Sequence, residues 1–97
     1  MRVRVRGHDW DLIFEERLAS GAWGEMDPVG PPRKEIRIAL QQSSLDVIDT
    51  LLHELLHAAY PDLDEDAVAD GATDIAKVFY RLGVRVEDTD KAKESDE

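Results

Sequence analysis

The 97-residue chain contains no cysteine. Disulfides, thiolate metal sites and cysteine nucleophiles are therefore excluded together. It also lacks any run approaching the ~20 apolar residues that a membrane helix needs. The opening residues Met1-Arg2-Val3-Arg4-Val5-Arg6 have no apolar centre of the kind that marks a signal peptide. Positive charge is scarce, with 12 Lys and Arg against 22 Asp and Glu, a formal net charge of −10. Such a balance gives no long-range attraction to phosphate backbones or anionic lipid. Neither nucleic acid nor membrane is expected as a partner, and the expected setting is cytoplasmic. What remains, 42% hydrophobic and 35% charged residues, is the composition of one small globular domain.

That domain is expected over residues 1–87, followed by an acidic, disordered tail at 88–97. The tail holds five acids, two lysines and almost nothing apolar. Valine and arginine alternate from Met1 to Arg6, the pattern of a half-buried strand. Trp10 to Phe14 reads as a second strand, with Gly7-His8-Asp9 as the turn between them. Ala22 to Met26 reads as a third. Asp27 to Pro32, with three prolines and a glycine, is a loop. Lys34 to Ala39 alternates again. After Gln42 the period changes. Ser43 and Asp46 form a helix start, and Leu45, Ile48, Leu52, Leu55 and Ala59 recur at helical spacing up to Pro61. A second helix is expected from about Asp62–Asp64, with Val68, Ala72, Ile75, Phe79 and Leu82 as its apolar stripe. Gly83 serves as its C-cap, and Val84 to Val86 reads as a short final strand. The fold class is α+β: a small, mainly antiparallel sheet followed by a helical hairpin.

The first helix carries His53-Glu54-Leu55-Leu56-His57, a His-Glu-x-x-His sequence. Residues four apart on a helix sit one above the other. Two imidazoles at that spacing can grip one ion, and zinc accepts nitrogen at ~2.0–2.1 Å. Glu54 lies about 100° round the helix from His53, placed to face a water on the metal. Zinc lowers the pKa of such a water towards ~7, and a carboxylate beside it can take the proton. The plainer account is two histidines packed for structure. Against it, His53 and His57 fall off the arc shared by the leucines, on a neighbouring polar face.

A catalytic zinc needs a third protein ligand and an open position. Only a few residues separate the two helices, so they should pack as an antiparallel hairpin. That brings Glu65, Asp66 and Asp70 near His57, with His8 as the remaining histidine. Glu65 lies in line with Val68 and Ala72 on the stripe facing the first helix, where an acid is costly unless paired or on a metal. Its competing role is a helix cap shared with Asp62.

These residues resemble the zincin metallopeptidases, and more narrowly the short gluzincin-like proteins of phages and bacteria. The resemblance rests on Thr50-Leu51-Leu52-His53-Glu54-Leu55-Leu56-His57-Ala58 and Asp64-Glu65-Asp66-Ala67-Val68. Trp23-Gly24-Glu25-Met26-Asp27 and Ile36-Arg37-Ile38 are similar to the strands that precede the motif there. The spacing after the motif is similar to that of the ImmA/IrrE-type metallopeptidases. The resemblance implies a minimal zincin-like domain that hydrolyses peptide bonds in a peptide or protein substrate. It also implies Zn2+ as cofactor, His53, His57 and the second-helix Glu65 as ligands, and Glu54 as general base. Larger relatives add a His, Tyr or Arg that stabilises the oxyanion; here Tyr60, His8 and Tyr80 are the residues of that kind.

Several other features have plain readings. Arg2, Arg4 and Arg6 form a solvated strand face. Trp10 and Trp23 read as core anchors. Ile36 to Ile38 is either an edge strand open to a peptide or an ordinary core strand. Asp62, Asp64, Asp66, Asp70 and Asp74 lack the order of a calcium loop and read as a solvated helix face. The rival function is a non-catalytic acidic module, or a nucleic-acid mimic, with a structural or absent metal. A zincin fold that keeps peptide binding without turnover is a third.

Overall fold

The structure, a computed structural model, describes residues 1–28 and 34–86. The acidic tail and most of the proline loop lie outside the described residues. Four strands come first: β1 (Arg2–Val5), β2 (His8–Glu15), β3 (Gly24–Met26) and β4 (Glu35–Ala39). Two helices follow, α1 (Ser44–Ala59) and α2 (Glu65–Arg81). The sheet order is β1-β2-β4-β3. β1 pairs antiparallel with β2 and β3 with β4, while β2 and β4 run parallel. The architecture is α+β, a mixed sheet followed by a helical pair.

The β1–β2 turn is one residue earlier than the composition suggests. Val5 pairs with His8, leaving Arg6 and Gly7 at the turn. Both have positive φ, 46° and 80°, as a type I′ hairpin requires at its two central positions. Gly7 adopts that region freely. Arg6 is strained there, and its guanidinium donates to the Ala59 carbonyl at 2.9 Å at the far end of α1.

Alternation then sorts the side chains. Trp10, Leu12, Ile36 and Ile38 point to one face and are buried with Val47 and Ala58 of α1. Val3, Val5, Phe14, Met26, Leu51 and Leu55 pack around them. Ile36 and Ile38 sit in a strand paired on both sides, so β4 is an interior strand; the sheet ends instead on β1 and β3. Full burial of such aliphatic side chains stabilises the fold by ~1.5–3 kcal/mol each.

The opposite face is charged. Arg2 meets Asp11 at 3.4 Å and Arg4 meets Asp9 at 3.6 Å. Arg37 gathers three acids: Asp27 at 2.9 Å, Glu35 at 2.9 Å and Glu25 at 3.3 Å. Glu25 belongs to β3 and Asp27 follows it, so Arg37 holds the outer strand against β4. The Arg37 hydrogen bond holds the Asp27 carboxyl below its usual range, helped by the Glu35 backbone N–H, which donates to it at 3.0 Å.

Capping explains where the helices begin and end. The Ser43 hydroxyl accepts from the Asp46 N–H at 3.2 Å. α1 closes with Tyr60 as C-cap, just before Pro61. The second cap is Asp64, whose carboxylate accepts from the Ala67 N–H at 3.2 Å. Glu65 therefore starts α2 and takes no part in a cap with Asp62. At the C-terminus, Gly83 N–H donates to Tyr80 O and Val84 N–H to Phe79 O, with Gly83 at φ 92°. That is a Schellman ending. It turns residues 84–86 into an irregular segment rather than a strand, and Val86 packs onto the core from there.

The apolar arcs of both helices are divided by their surroundings. α1 lies between the sheet and α2, so it is apolar on more than one side. Its buried residues are Val47, Ile48 and Ala58, a different set from the single arc expected. Among the described residues, α2 packs on α1 and lies against no strand. Its stripe is buried at Val68, Ala72 and Ala76, yet Ile75, Phe79 and Leu82 stay exposed.

Candidate metal centre

The two helices run antiparallel, and the face of α1 that meets α2 contains a polar line. Asp49, His53 and His57 recur every fourth residue, which places them on one side of the helix. Thr73 donates its hydroxyl proton to Asp49 at 2.9 Å. Eight residues on along α1, and eight back along α2, His57 faces Glu65. The same register sets Ala69, a small side chain, across from His53. The polar seam is thus continuous from a hydrogen bond at one end to a histidine–carboxylate cluster at the other.

Within that cluster His53 Nε2 lies 3.1 Å from His57 Nε2. Glu65 Oε1 is 3.0 Å from His53 Nε2, and Oε2 is 2.7 Å from His57 Nε2. The imidazole rings meet edge to face, with centroids 4.7 Å apart. Both histidine side chains are mostly buried, while the Glu65 side chain is 66% exposed. The acid therefore reaches in from solvent, where the sequence pattern had put it on a buried stripe. Among the described residues, His53, His57 and Glu65 are the group that could hold a metal ion. Asp66, Asp70 and His8 are not in it; His8 instead has its Nδ1 3.1 Å from Lys34 Nζ.

The donor set fits a divalent cation. Tetrahedral nitrogen and oxygen ligands at ~2.0–2.1 Å from zinc lie roughly 3.3 Å from one another. The contacts here, 3.1, 3.0 and 2.7 Å with the last two from different Glu65 oxygens, are shorter than that, and a small outward movement of the side chains would admit the ion. A cation at their centre satisfies all three at once.

Glu54, one residue on from His53, shares with it the wall of a cleft. The cleft has a volume of about 560 Å³ and is bordered by His53, Glu54 and Thr50 of α1 and by Gly24 of β3. Trp23, Gln42, Asp46 and Asp49 complete its wall. Burial pushes the Glu54 carboxyl above its usual range. The neighbouring histidines oppose that shift, while Glu65 and Glu25 add to it. No hydrogen bond among the described residues fixes the carboxylate, so its oxygens are open to a proton from the cleft.

Gly24 makes the approach of β3 to this helix possible. A Cβ added there would lie 2.5 Å from Thr50 Cγ2 and 3.3 Å from Glu54 Cγ. Trp23, expected in the core, is 58% exposed and walls the cleft instead; Trp10 is the tryptophan that anchors the core. Neither tyrosine borders the cleft. Arg6 lies over the Tyr60 ring at 5.0 Å and Arg85 over the Tyr80 ring at 3.6 Å. The residues that sequence reasoning missed are Asp49, Thr73 and Gly24. Asp49 had a signal, the four-residue spacing to His53. Thr73 and Gly24 had none, because their roles depend on the register between elements.

Compared with protein-family models, with curated proteins and with solved structures, the chain matches none.

Proposed function

We propose that this protein is a zinc-dependent metallopeptidase of a minimal zincin-like type, acting on a peptide or protein substrate. The observation that carries the reading is the convergence of His53, His57 and Glu65 from two helices, with Glu54 beside them at an open cleft. His53, His57 and Glu65 would hold the zinc, which when bound would supply a Lewis acid and an acidified water. Glu54, at the cleft beside them, would serve first as proton acceptor and then as proton donor to the departing amine nitrogen. β3 is an end strand of the sheet and borders the same cleft, so an extended peptide added along it passes Glu54. Asp46 and Asp49 make the cleft negative and favour neutral or basic side chains over acidic ones.

The test measures zinc content and peptide hydrolysis on the same samples, purified without added metal. Wild type should hold one equivalent of zinc and cleave members of an unstructured peptide library, read by mass spectrometry. Glu54→Gln should keep the zinc and lose cleavage; His57→Ala should lose both. A chain that binds no zinc refutes the reading. So does hydrolysis that survives both chelation and Glu54→Gln. Zinc binding without cleavage in wild type leaves the non-catalytic binding module as the function.

A further inference from the structure

We propose that α2 is the contact surface between two copies of this chain, paired antiparallel through the C-terminal half of the helix. Ile75, Val78, Phe79 and Leu82 recur at i, i+3, i+4 and i+7, one continuous stripe. Each is between 39% and 74% exposed. Val84, also exposed, extends the stripe past the Schellman turn. α1 covers only the adjacent side of α2, where Val68, Ala72 and Ala76 are buried. No strand of the sheet lies against α2. Residues 87–97 contain no side chain more apolar than a single alanine.

The charges of α2 select the occupant and its direction. Acids come first along the helix, at Glu65, Asp66, Asp70 and Asp74, and bases follow at Lys77 and Arg81, with Arg85 just beyond. Asp74 and Arg81 are seven residues apart, on the same flank of the stripe. Antiparallel helices related by a two-fold axis bring equivalent flanks together. An axis passing near Val78 therefore sets Asp74 of each copy beside Arg81 of the other. A parallel pair would bring opposite flanks together instead and would not set Asp74 beside Arg81. Flank charges of this kind fix the orientation of paired helices. Covering the five apolar side chains on both copies removes on the order of 1,000 Å² from water, the lower end of specific association. An interface of that size fits a weak, reversible dimer. The surface lies at the far end of α2 from Glu65, so pairing leaves the metal cluster open.

Sedimentation equilibrium of the full chain between ~1 and ~500 μM tests this. Wild type should shift from monomer to dimer across the range, with no larger species. Val78→Asp should remain monomeric at the top concentration, with unchanged far-UV circular dichroism. Asp74→Lys and Arg81→Glu should each weaken association at least tenfold, and the double exchange should restore it. A wild-type chain that is monomeric throughout overturns the proposal and leaves the stripe to a different polypeptide. A dimer insensitive to Val78→Asp, or charge exchanges that do not rescue one another, overturns the α2 assignment.

Discussion

Replacing Gly24 with alanine should damage this protein out of proportion to one methyl group. The new Cβ would sit 2.5 Å from Thr50 Cγ2 and 3.3 Å from Glu54 Cγ. Carbon atoms rest at about 3.5–4.0 Å, so β3 and α1 must part by about 1 Å or Thr50 must leave its rotamer. Thr50 is held against turning. It is β-branched and stiff at χ1, and its hydroxyl donates to Gln42 Oε1 at 2.9 Å. The Gln42 amide in turn donates to the Ala39 carbonyl at 2.7 Å. Overpacking of this kind costs about 1–3 kcal/mol, a large part of the about 5–10 kcal/mol expected for a domain of this size. The assay is urea denaturation of the metal-free chain, followed by far-UV circular dichroism, for wild type, Gly24→Ala, Thr50→Ser and the double variant. Thr50→Ser removes the obstructing methyl and keeps the hydroxyl. In the double variant the loss should shrink, giving a coupling of about 1–2 kcal/mol. On the proposed function, zinc affinity should be little changed in Gly24→Ala, because the proposed ligands come from α1 and α2, while turnover should fall as Glu54 is displaced. An unchanged midpoint for Gly24→Ala, or a double variant as unstable as the single, would refute the argument.

Two predictions concern pH. Burial raises the Glu54 carboxyl, so the folded metal-free chain holds a proton that the unfolded chain releases first. Its stability should fall as pH rises from the ordinary glutamate range through the raised one. Glu54→Gln should abolish that loss, being more stable than wild type at neutral pH and equal to it near pH 3, as urea midpoints at each pH would reveal. Asp27 has the opposite sign. Its carboxyl is depressed by Arg37, so its contribution is present above the usual aspartate range and disappears as pH falls through the depressed one. Asp27→Asn should lower stability at neutral pH by about 1 kcal/mol or less, given partial solvent screening, and should make little difference at pH 2. A deficit that persists undiminished at pH 2 would mean that packing, and not charge, makes Asp27 important.

Much of the local structure was legible because local forces set it. The alternation in Arg2–Val5 and Glu35–Ala39 and the caps at Ser43 and Gly83 depend on a few neighbouring residues, and so does the stop before Pro61. So does the pairing of His53 with His57, which one helical turn brings together. The errors share a cause. Trp23 looks like any core tryptophan until the approach of Gly24 to Thr50 leaves it on a cleft wall. The α2 stripe looks uniformly buried until α1 covers only part of it. The parallel pairing of β2 with β4 is invisible to periodicity, which fixes the face of a side chain and not the direction of its neighbour.

The sequence by itself determined that a helix would present two imidazoles on one side with a carboxylate between them, because 3.6 residues per turn is a property of the backbone. Only the tertiary structure decided which acid would join them. Glu65, Asp66 and Asp70 are all carboxylates near the start of α2, and the line of Glu65 with Val68 and Ala72 favours it without fixing its distance from the imidazoles. The choice falls to Glu65 because the antiparallel register, held at Asp49 and Thr73, sets that residue opposite His57. Distance between elements is fixed by packing across the whole domain, and no window of neighbouring residues contains it.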